Sequence, residues 1–114
     1  MVILRGKMVF LVLVLLSVVA ENVAADSHEP STQRQAELLH VLRHDCGSCH
    51  GMTLKGGLGP ALTQVALASK PAEYLYSTVR DGRPGTPMPP WRGILDDAEI
   101  HWLVNQLMQG VPMP

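Results

Sequence analysis

Two cysteines three positions apart are the residues of this chain best suited to chemistry. Cys46 and Cys49 are its only cysteines, and His50 follows directly, within the stretch DCGSCHGM. Two thiols at this spacing can form a redox-active disulfide, hold a soft metal ion or attach a cofactor covalently. The segments around them decide among these chemistries.

A helix is predicted directly before Cys46. Thr32 with Gln35 fits a capping box at its start. Apolar side chains then recur on one face at helical spacing, at Leu38, Leu39, Leu42 and Cys46. We therefore expect this helix to deliver its C-terminal end to the CGSCH segment.

Three chemistries fit these surroundings poorly. A redox dithiol needs its first thiol at a helix N-terminus, where the pKa is lowered, whereas Cys46 lies at a predicted C-terminus. A zinc site needs a second pair of ligands, and His40 and His44 lie on the face opposite the leucines. A disulfide between the two cysteines would close a very small loop and leave His50 without a role.

The remaining chemistry uses all three residues. Cys-x-x-Cys-His is the attachment signature of haem c, in which two thioethers bind the porphyrin and the adjacent histidine is held against the iron. One covalent haem c would also add bulk to a small core that is poor in aromatic residues. After residue 25 the aromatic residues are Tyr74, Tyr76, Trp91 and Trp102.

A second iron ligand is predicted at Met88, 38 residues after His50. It lies in GRPGTPMPPW, whose four prolines exclude a helix or a central strand and favour an extended path. Pro87 and Pro89 limit the conformations of the loop and hold the thioether in place. A histidine and a methionine together leave no open position on the iron and raise its potential, which indicates electron transfer.

The other candidate ligands have less suitable positions. Met52 lies two residues from His50, and a span of at most about 7 Å cannot reach the opposite face of a porphyrin. Met108 continues the apolar face of the last helix, which indicates core packing, and Met113 lies in the terminal tail. His101 lies off the apolar face of the same helix and is expected at the surface.

A glycine-proline corner at residues 59–60 is expected to support His50. A ligand histidine donates its second ring proton to an acceptor that fixes the orientation of the ring. Glycine allows a backbone carbonyl to come close, so this corner can provide the acceptor.

Helices account for the remaining regular elements. One is predicted from Lys70 to Asp81, and a short one within residues 61–69. The last helix has an acidic start at Asp96 and stops at Gly110. Its apolar face consists of Ile100, Leu103, Val104, Leu107 and Met108. Because no strand-like alternation occurs, the sequence predicts an all-α fold with helices around long loops.

Residues 1–25 predict a cleaved secretory signal peptide. A short positive region precedes an apolar run from Met8 to Ala20, and small residues lead to Ala25. This run of about 13 residues is short against the roughly 20 needed to span a bilayer. Cleavage after Ala20 is the alternative. We expect residues 26–114 to form one domain in the periplasm, without stable membrane association.

The composition limits the partners. The chain has 114 residues, 46% of them apolar, and a formal net charge of -1, which fits a single small globular domain. Basic residues are scattered and form no aromatic-basic groove, so nucleic acid is not an expected partner.

The motifs together resemble those of class I cytochromes c. They are the segment from Cys46 to His50, the Gly-Pro-x-Leu of residues 59–62, the Pro-Met-Pro of residues 87–89 and a terminal helix with Trp102. They cover essentially the whole chain after residue 25. The first helix departs from the family because it offers leucines where an aromatic residue is usual.

This resemblance implies a set of residue roles. The carbonyl of Pro60 would accept a hydrogen bond from His50, and Met88 would be the distal ligand. The first and last helices would cross at a close contact. We also expect Trp91 and Arg92 to contact the haem propionates.

Two longer stretches are similar to those of the NirC-type cytochromes c, which are encoded beside the haem-containing nitrite reductase of denitrifying bacteria. They read CGSCHGMTLKGGLGPAL and DGRPGTPMPPW. The similarity implies a periplasmic carrier that passes single electrons to nitrite reductase or serves maturation of its haem d1. The alternative is an assembly factor for nitrite reductase in which electron transfer is incidental.

The docking surface for such a partner is expected to be apolar. Lys55 and Lys70 are the only lysines after residue 25, so a ring of lysines is not available to steer an acidic partner. We expect docking through Met52, Leu54, Pro60, Pro87 and Pro89, with Arg83 and Arg92 at the rim.

Overall fold

The computed structural model describes residues 29–112, and this part of the chain is helical with no strand. The helices are α1 (Thr32–Val41), α2 (Gly47–His50), α3 (Gln64–Leu67), α4 (Ala72–Asp81) and α5 (Asp97–Gln109), with a π-helical turn, Leu42–Cys46, between α1 and α2. The predicted all-α fold is confirmed. The predicted signal peptide and Met113 lie outside the described residues.

Helix α1 begins one residue earlier than the predicted capping box requires. Ser31 is the N-cap, and its hydroxyl accepts a hydrogen bond from the amide of Arg34 at 3.3 Å. The prediction of a Thr32 and Gln35 capping box was therefore wrong. The side chain of Gln35 donates instead to the carbonyl of Pro30 at 2.9 Å, which fixes the segment before the helix.

The helical backbone does not stop before the first cysteine. It continues from α1 through the π-helical turn into α2, so that Cys46, Cys49 and His50 all lie on helical backbone. A π-helical turn adds one residue to the ordinary helical repeat and is often found at functional sites. Leu42 at the start of this turn is fully buried, which anchors the turn in the core.

Helices α3 and α4 agree closely with the sequence prediction. Helix α3 falls within residues 61–69, and its N-cap Thr63 accepts from the amide of Ala66. Helix α4 begins two residues after the predicted Lys70 and ends at Asp81, as expected. Gly82 follows with a φ of 69°, a value that favours glycine.

Helix α5 is the central element of the core. A full capping box fixes its start, because Asp96 accepts from the amide of Glu99 at 2.8 Å and Glu99 accepts from the amide of Asp96 at 3.0 Å. The helix contacts α1, α3 and α4. Its buried residues are Ile100, Trp102, Leu103, Val104 and Leu107. They form one cluster with Leu38 and Leu42 of the first helical segment.

One loop leucine belongs to this core as well. Leu54 has a φ of 58°, which is unusual for a residue other than glycine. Its side chain is 3% exposed, so burial offsets the strained backbone. Leu54 therefore cannot belong to a docking surface, and the expectation that it did was wrong.

No helix among residues 29–112 is long and apolar enough to cross a membrane.

An ion pair joins the first helix to the last. The guanidinium of Arg34 binds the carboxylate of Glu99 across the two helices and that of Glu37 within α1. The Glu99 side chain is 13% exposed, whereas that of Glu37 is 50% exposed. The hydrogen bond from Arg34, together with the amide of Asp96, lowers the pKa of Glu99 against the opposing effect of burial.

We predict that Glu99→Gln lowers the free energy of unfolding at neutral pH but not in acid. Because folding lowers the pKa of Glu99, its carboxylate stabilises the fold above its unfolded-state pKa of about 4.3, and this stabilisation is lost as the pH falls through the lower folded value. Urea unfolding of both proteins from neutral to acidic pH measures the difference.

Glu37→Gln is the matched control, because the exposed Glu37 pairs with the same arginine. It should change stability less than Glu99→Gln does. If the free energy of unfolding of Glu99→Gln were lower than that of the wild type by the same amount across the whole pH range, the prediction would be contradicted.

Candidate functional site

A cavity of about 680 Å³ lies between the helices and the two long loops, residues 51–63 and residues 82–96. Its volume is within the range of about 300 to 1,000 Å³ that is usual for small-molecule and cofactor sites. Helices α3, α4 and α5 contribute an apolar lining, which includes Leu67, Leu75, Val79, Val104 and Leu107. Cys46, Cys49, His50 and Met88 line the same cavity.

The two cysteines reach the cavity from one helical segment. Residues three apart on a helix lie on the same face, so Cys46 and Cys49 face the cavity together. They form no disulfide with each other. Burial, and to a lesser extent Asp45, raises the pKa of the Cys46 thiol to about 11. This shift is opposite in direction to the lowered pKa of a redox dithiol centre.

A backbone carbonyl holds the ring of His50. The loop after α2 folds back on it, with the amide of Gly59 donating to the carbonyl of Cys49 at 2.8 Å. This brings the carbonyl oxygen of Pro60 to 2.7 Å from Nδ1 of His50. Because a carbonyl can only accept, Nδ1 carries the proton, and Nε2 of the neutral ring keeps a free lone pair for a metal.

Gly59 is needed for this arrangement for a steric reason. A Cβ at this position would lie 2.7 Å from both Cε1 and Nδ1 of the His50 ring. Any larger residue would have to displace the ring or the carbonyl that binds it. The glycine-proline corner therefore brings the acceptor close, as its sequence indicated.

Met88 approaches the cavity from the proline loop. It is half-buried and lines the cavity, with Pro87 and Pro89 on either side. Its amide donates to Oγ1 of Thr86 at 3.3 Å, and its carbonyl accepts from the amide of Arg83 at 3.1 Å. The amide and the carbonyl of Met88 thus both form hydrogen bonds within the same loop.

The structure separates the two residues expected to contact propionates. Trp91 lines the cavity, but Arg92 does not. The guanidinium of Arg92 lies 2.7 Å from the carboxylate of Asp81 at the end of α4. The cations that line the cavity are Lys70 and Arg83. From the sequence, Lys70 was considered only as a helix start and as one of the two lysines after residue 25; it lies directly before Pro71, the N-cap of α4.

The other candidate ligands lie elsewhere. Met52 is exposed, and Met108 packs against the core without lining the cavity. His101 stacks on Tyr76 with ring centroids 4.0 Å apart. His40 and His44 form an exposed pair on α1 and the π-helical turn. Within the described part of the chain no group of three or more His, Cys, Asp or Glu residues could hold a metal ion, so a zinc site has no ligand set there.

This set of residues fits a haem c. Two thiols can form the thioethers, Nε2 of His50 presents a lone pair, and Met88 offers a thioether in the same mainly apolar cavity. When bound, the haem supplies a one-electron couple. The protein contributes the attachment, the orientation of the histidine ring and an apolar lining that excludes water.

The fold and the cavity together define a class I cytochrome c. A model of the family described as "Cytochrome C oxidase, cbb3-type, subunit III" matches residues 33–105, which is more than half of the chain. The chain belongs to this family of cytochrome c domains and, within the class I cytochromes c, to the NirC type. It is therefore an electron-transfer protein with one covalently bound haem c.

Relatives of known sequence and structure support this membership. The chain is 57% identical over 90 residues to cytochrome c55X of Pseudomonas aeruginosa, which covers 79% of this chain and 75% of the relative. It is 55% identical over 85 residues to cytochrome c55X of Stutzerimonas stutzeri, covering 75% of each. The solved structure of a c-type cytochrome NirC matches with a TM-score of 0.72 and 56% identity, over 75% of this chain and all of that one.

A longer protein contains a similar segment. The dihydro-heme d1 dehydrogenase of Pseudomonas aeruginosa is 41% identical over 72 residues, which are 63% of this chain but 15% of that protein. The solved structure of dihydro-heme d1 dehydrogenase NirN in complex with DHE matches with a TM-score of 0.59 and 35% identity, over 65% of this chain and 16% of that one. The dehydrogenase is thus a much larger protein with one segment of this kind.

Proposed function

We propose that this protein is a periplasmic single-electron carrier whose haem iron is ligated by His50 and Met88, and that it donates electrons to nitrite reductase or in the maturation of haem d1. One observation carries the proposal: His50 at the end of α2 and Met88 in the proline loop line the same cavity, which both cysteines also line. Ligation by both residues would leave no open position for a small substrate, and a methionine ligand would favour the reduced iron. The signal-like first 25 residues support the periplasmic location.

The electron transfer itself requires no bond to form or break. The reduced protein gives one electron to an oxidised redox centre of the partner and becomes oxidised. Rigid ligation suits this step, because a site that keeps its ligands in both states needs little reorganisation.

Assembly or maturation of nitrite reductase is the second candidate function. It is favoured by the similarity to a segment of dihydro-heme d1 dehydrogenase. Because a domain of this type occurs within a protein named for an oxidation of dihydro-heme d1, a separate copy could serve the same maturation. In this role electron transfer to nitrite reductase would be incidental.

The cavity rim provides an apolar docking surface, which we call the rim surface. It consists of Leu58, Pro60, Tyr74, Pro87 and Pro89, all of them exposed and all lining the cavity. Leu58 is 76% exposed, and such apolar exposure beside a cofactor site is typical of an interaction surface. Met52, expected in this surface, is exposed but lies outside the cavity lining.

Stopped-flow mixing of the reduced protein with oxidised nitrite reductase tests the two candidates. A carrier should reoxidise rapidly and in proportion to the enzyme concentration, and the absence of transfer would favour the maturation role. Because the rim surface is mainly apolar, we predict that the rate changes little between low and high salt. A steep fall of the rate with ionic strength would refute docking through this surface.

A further inference from the structure

The proline loop that carries Met88 is held by the end of helix α4. The last carbonyls of a helix lack partners within the helix. Here the carbonyl of Val79 accepts from the amide of Trp91 at 3.1 Å, and that of Arg80 accepts from the amide of Arg92 at 3.2 Å. The chain therefore leaves α4 at Gly82, passes Met88 and returns to cap the helix that it left.

Gly82 lies where the two ends of this loop meet. It is buried, with a φ of 69° and a ψ of -170°. A Cβ at this position would lie 2.7 Å from the carbonyl carbon of Pro89, 2.7 Å from the nitrogen of Pro90 and 2.8 Å from the carbonyl oxygen of Met88. All three are backbone atoms, so no side-chain rotation could relieve the clash.

The prolines make this contact decisive for Met88. A flexible segment could yield locally to an added methyl group, but Pro89 and Pro90 restrict the backbone next to Met88. The adjacent bond between the amide of Arg83 and the carbonyl of Met88 would also be pushed apart. A displacement at Gly82 must therefore move the backbone from which the Met88 thioether extends.

We propose that Gly82 is a positioning residue for the distal thioether, because its lack of a side chain allows the segment Met88–Pro90 to pack directly against the end of α4. This inference rests on the proposed ligation by Met88. It assigns to Gly82 a role in the properties of the iron centre in addition to its role in ending the helix.

Gly85 provides a matched control in the same loop. Its φ of 78° is close to that of Gly82, but a Cβ at this position would meet no atom within 4 Å. An alanine at either position suffers the same kind of backbone strain, so both variants should lose thermal stability. Only in Gly82→Ala does the added methyl group clash with the backbone of Met88, Pro89 and Pro90.

The experiment compares the holoproteins Gly82→Ala and Gly85→Ala. We expect Gly82→Ala to lose the thioether-to-iron absorption band in the oxidised state, to show a lower midpoint potential and to bind carbon monoxide when reduced. Gly85→Ala should keep the band and remain inert to carbon monoxide. Retention of the band and of inertness in folded Gly82→Ala would overturn the proposal.

A second variant covers a failure of Gly82→Ala to fold. In Gly82→Ala/Pro89→Gly the freed backbone can yield to the methyl group, and Pro89→Gly alone is the reference for this variant. We expect the double variant to fold and to show a weaker band than Pro89→Gly, whereas equal bands in the two holoproteins would overturn the positioning role. The band in Met88→Ala distinguishes a failure of the proposed ligation from a failure of the role of Gly82. Retention of the band in Met88→Ala would overturn the assignment of Met88 as a ligand. Retention of the band in Gly82→Ala alone would overturn only the role of Gly82.

Discussion

Replacing Met88 by alanine is expected to abolish the thioether-to-iron band of the oxidised protein, to open the reduced iron to carbon monoxide and to lower the reduction potential. Met88 is the methionine that lines the cavity with His50. Its loss removes a ligand that favours the reduced state. A fall on the order of 100 mV would be consistent with the range of about 0.8 V over which axial ligands set haem potentials.

Met52→Ala is the matched control for this experiment. Met52 is much closer to His50 in sequence, but its side chain is 56% exposed and lies outside the cavity lining. Its replacement should leave the band, the potential and the inertness to carbon monoxide unchanged. If Met88→Ala kept the band while Met52→Ala lost it, the assignment of the ligand would be reversed.

Replacing Ile100 by alanine is expected to cost about 2 to 5 kcal/mol of the free energy of unfolding, as is usual for large-to-small changes in a core. Ile100 lies on α5 and is fully buried. Small domains are stable by only about 5 to 15 kcal/mol, so this loss is a large share of the total. The denaturation midpoint should fall, while the slope of the free energy of unfolding against denaturant concentration stays the same. The covalent attachment of the haem keeps cofactor loss out of the measurement.

Ile94→Ala tests whether this effect comes from burial. Ile94 is the same residue type and is 69% exposed in the loop before α5. Its replacement should change the free energy of unfolding by no more than about 0.5 kcal/mol. Equal losses for the two variants would show that the core around α5 is not packed as described.

The elements that the sequence predicted best are those in which local signals agree. Helix α5 combines an acidic start, an apolar face and a terminal glycine, and the structure shows it from Asp97 to Gln109. The same holds for α4, whose end at Asp81 is marked by Gly82. The cysteines, His50 and Met88 were also predicted as site residues, and the structure places all four in the lining of one cavity.

Features that depend on tertiary contacts could not be predicted in this way. The N-cap of α1 is Ser31 rather than Thr32, which depends on which of two adjacent hydroxyls accepts a hydrogen bond from a backbone amide. Leu54 resembles any loop residue in the sequence, and its burial becomes visible only when the loop closes over the core. Arg92 is drawn to Asp81 because the proline loop returns to α4, a path that no local pattern encodes.

The most direct test of the account is the exposure of the reduced wild-type protein to carbon monoxide at neutral pH. If His50 and Met88 occupy both axial positions, the optical spectrum should stay unchanged, as a pure electron carrier requires. Formation of a stoichiometric carbon monoxide adduct would show that one position is open, and would contradict the account of this protein as a carrier with a saturated iron.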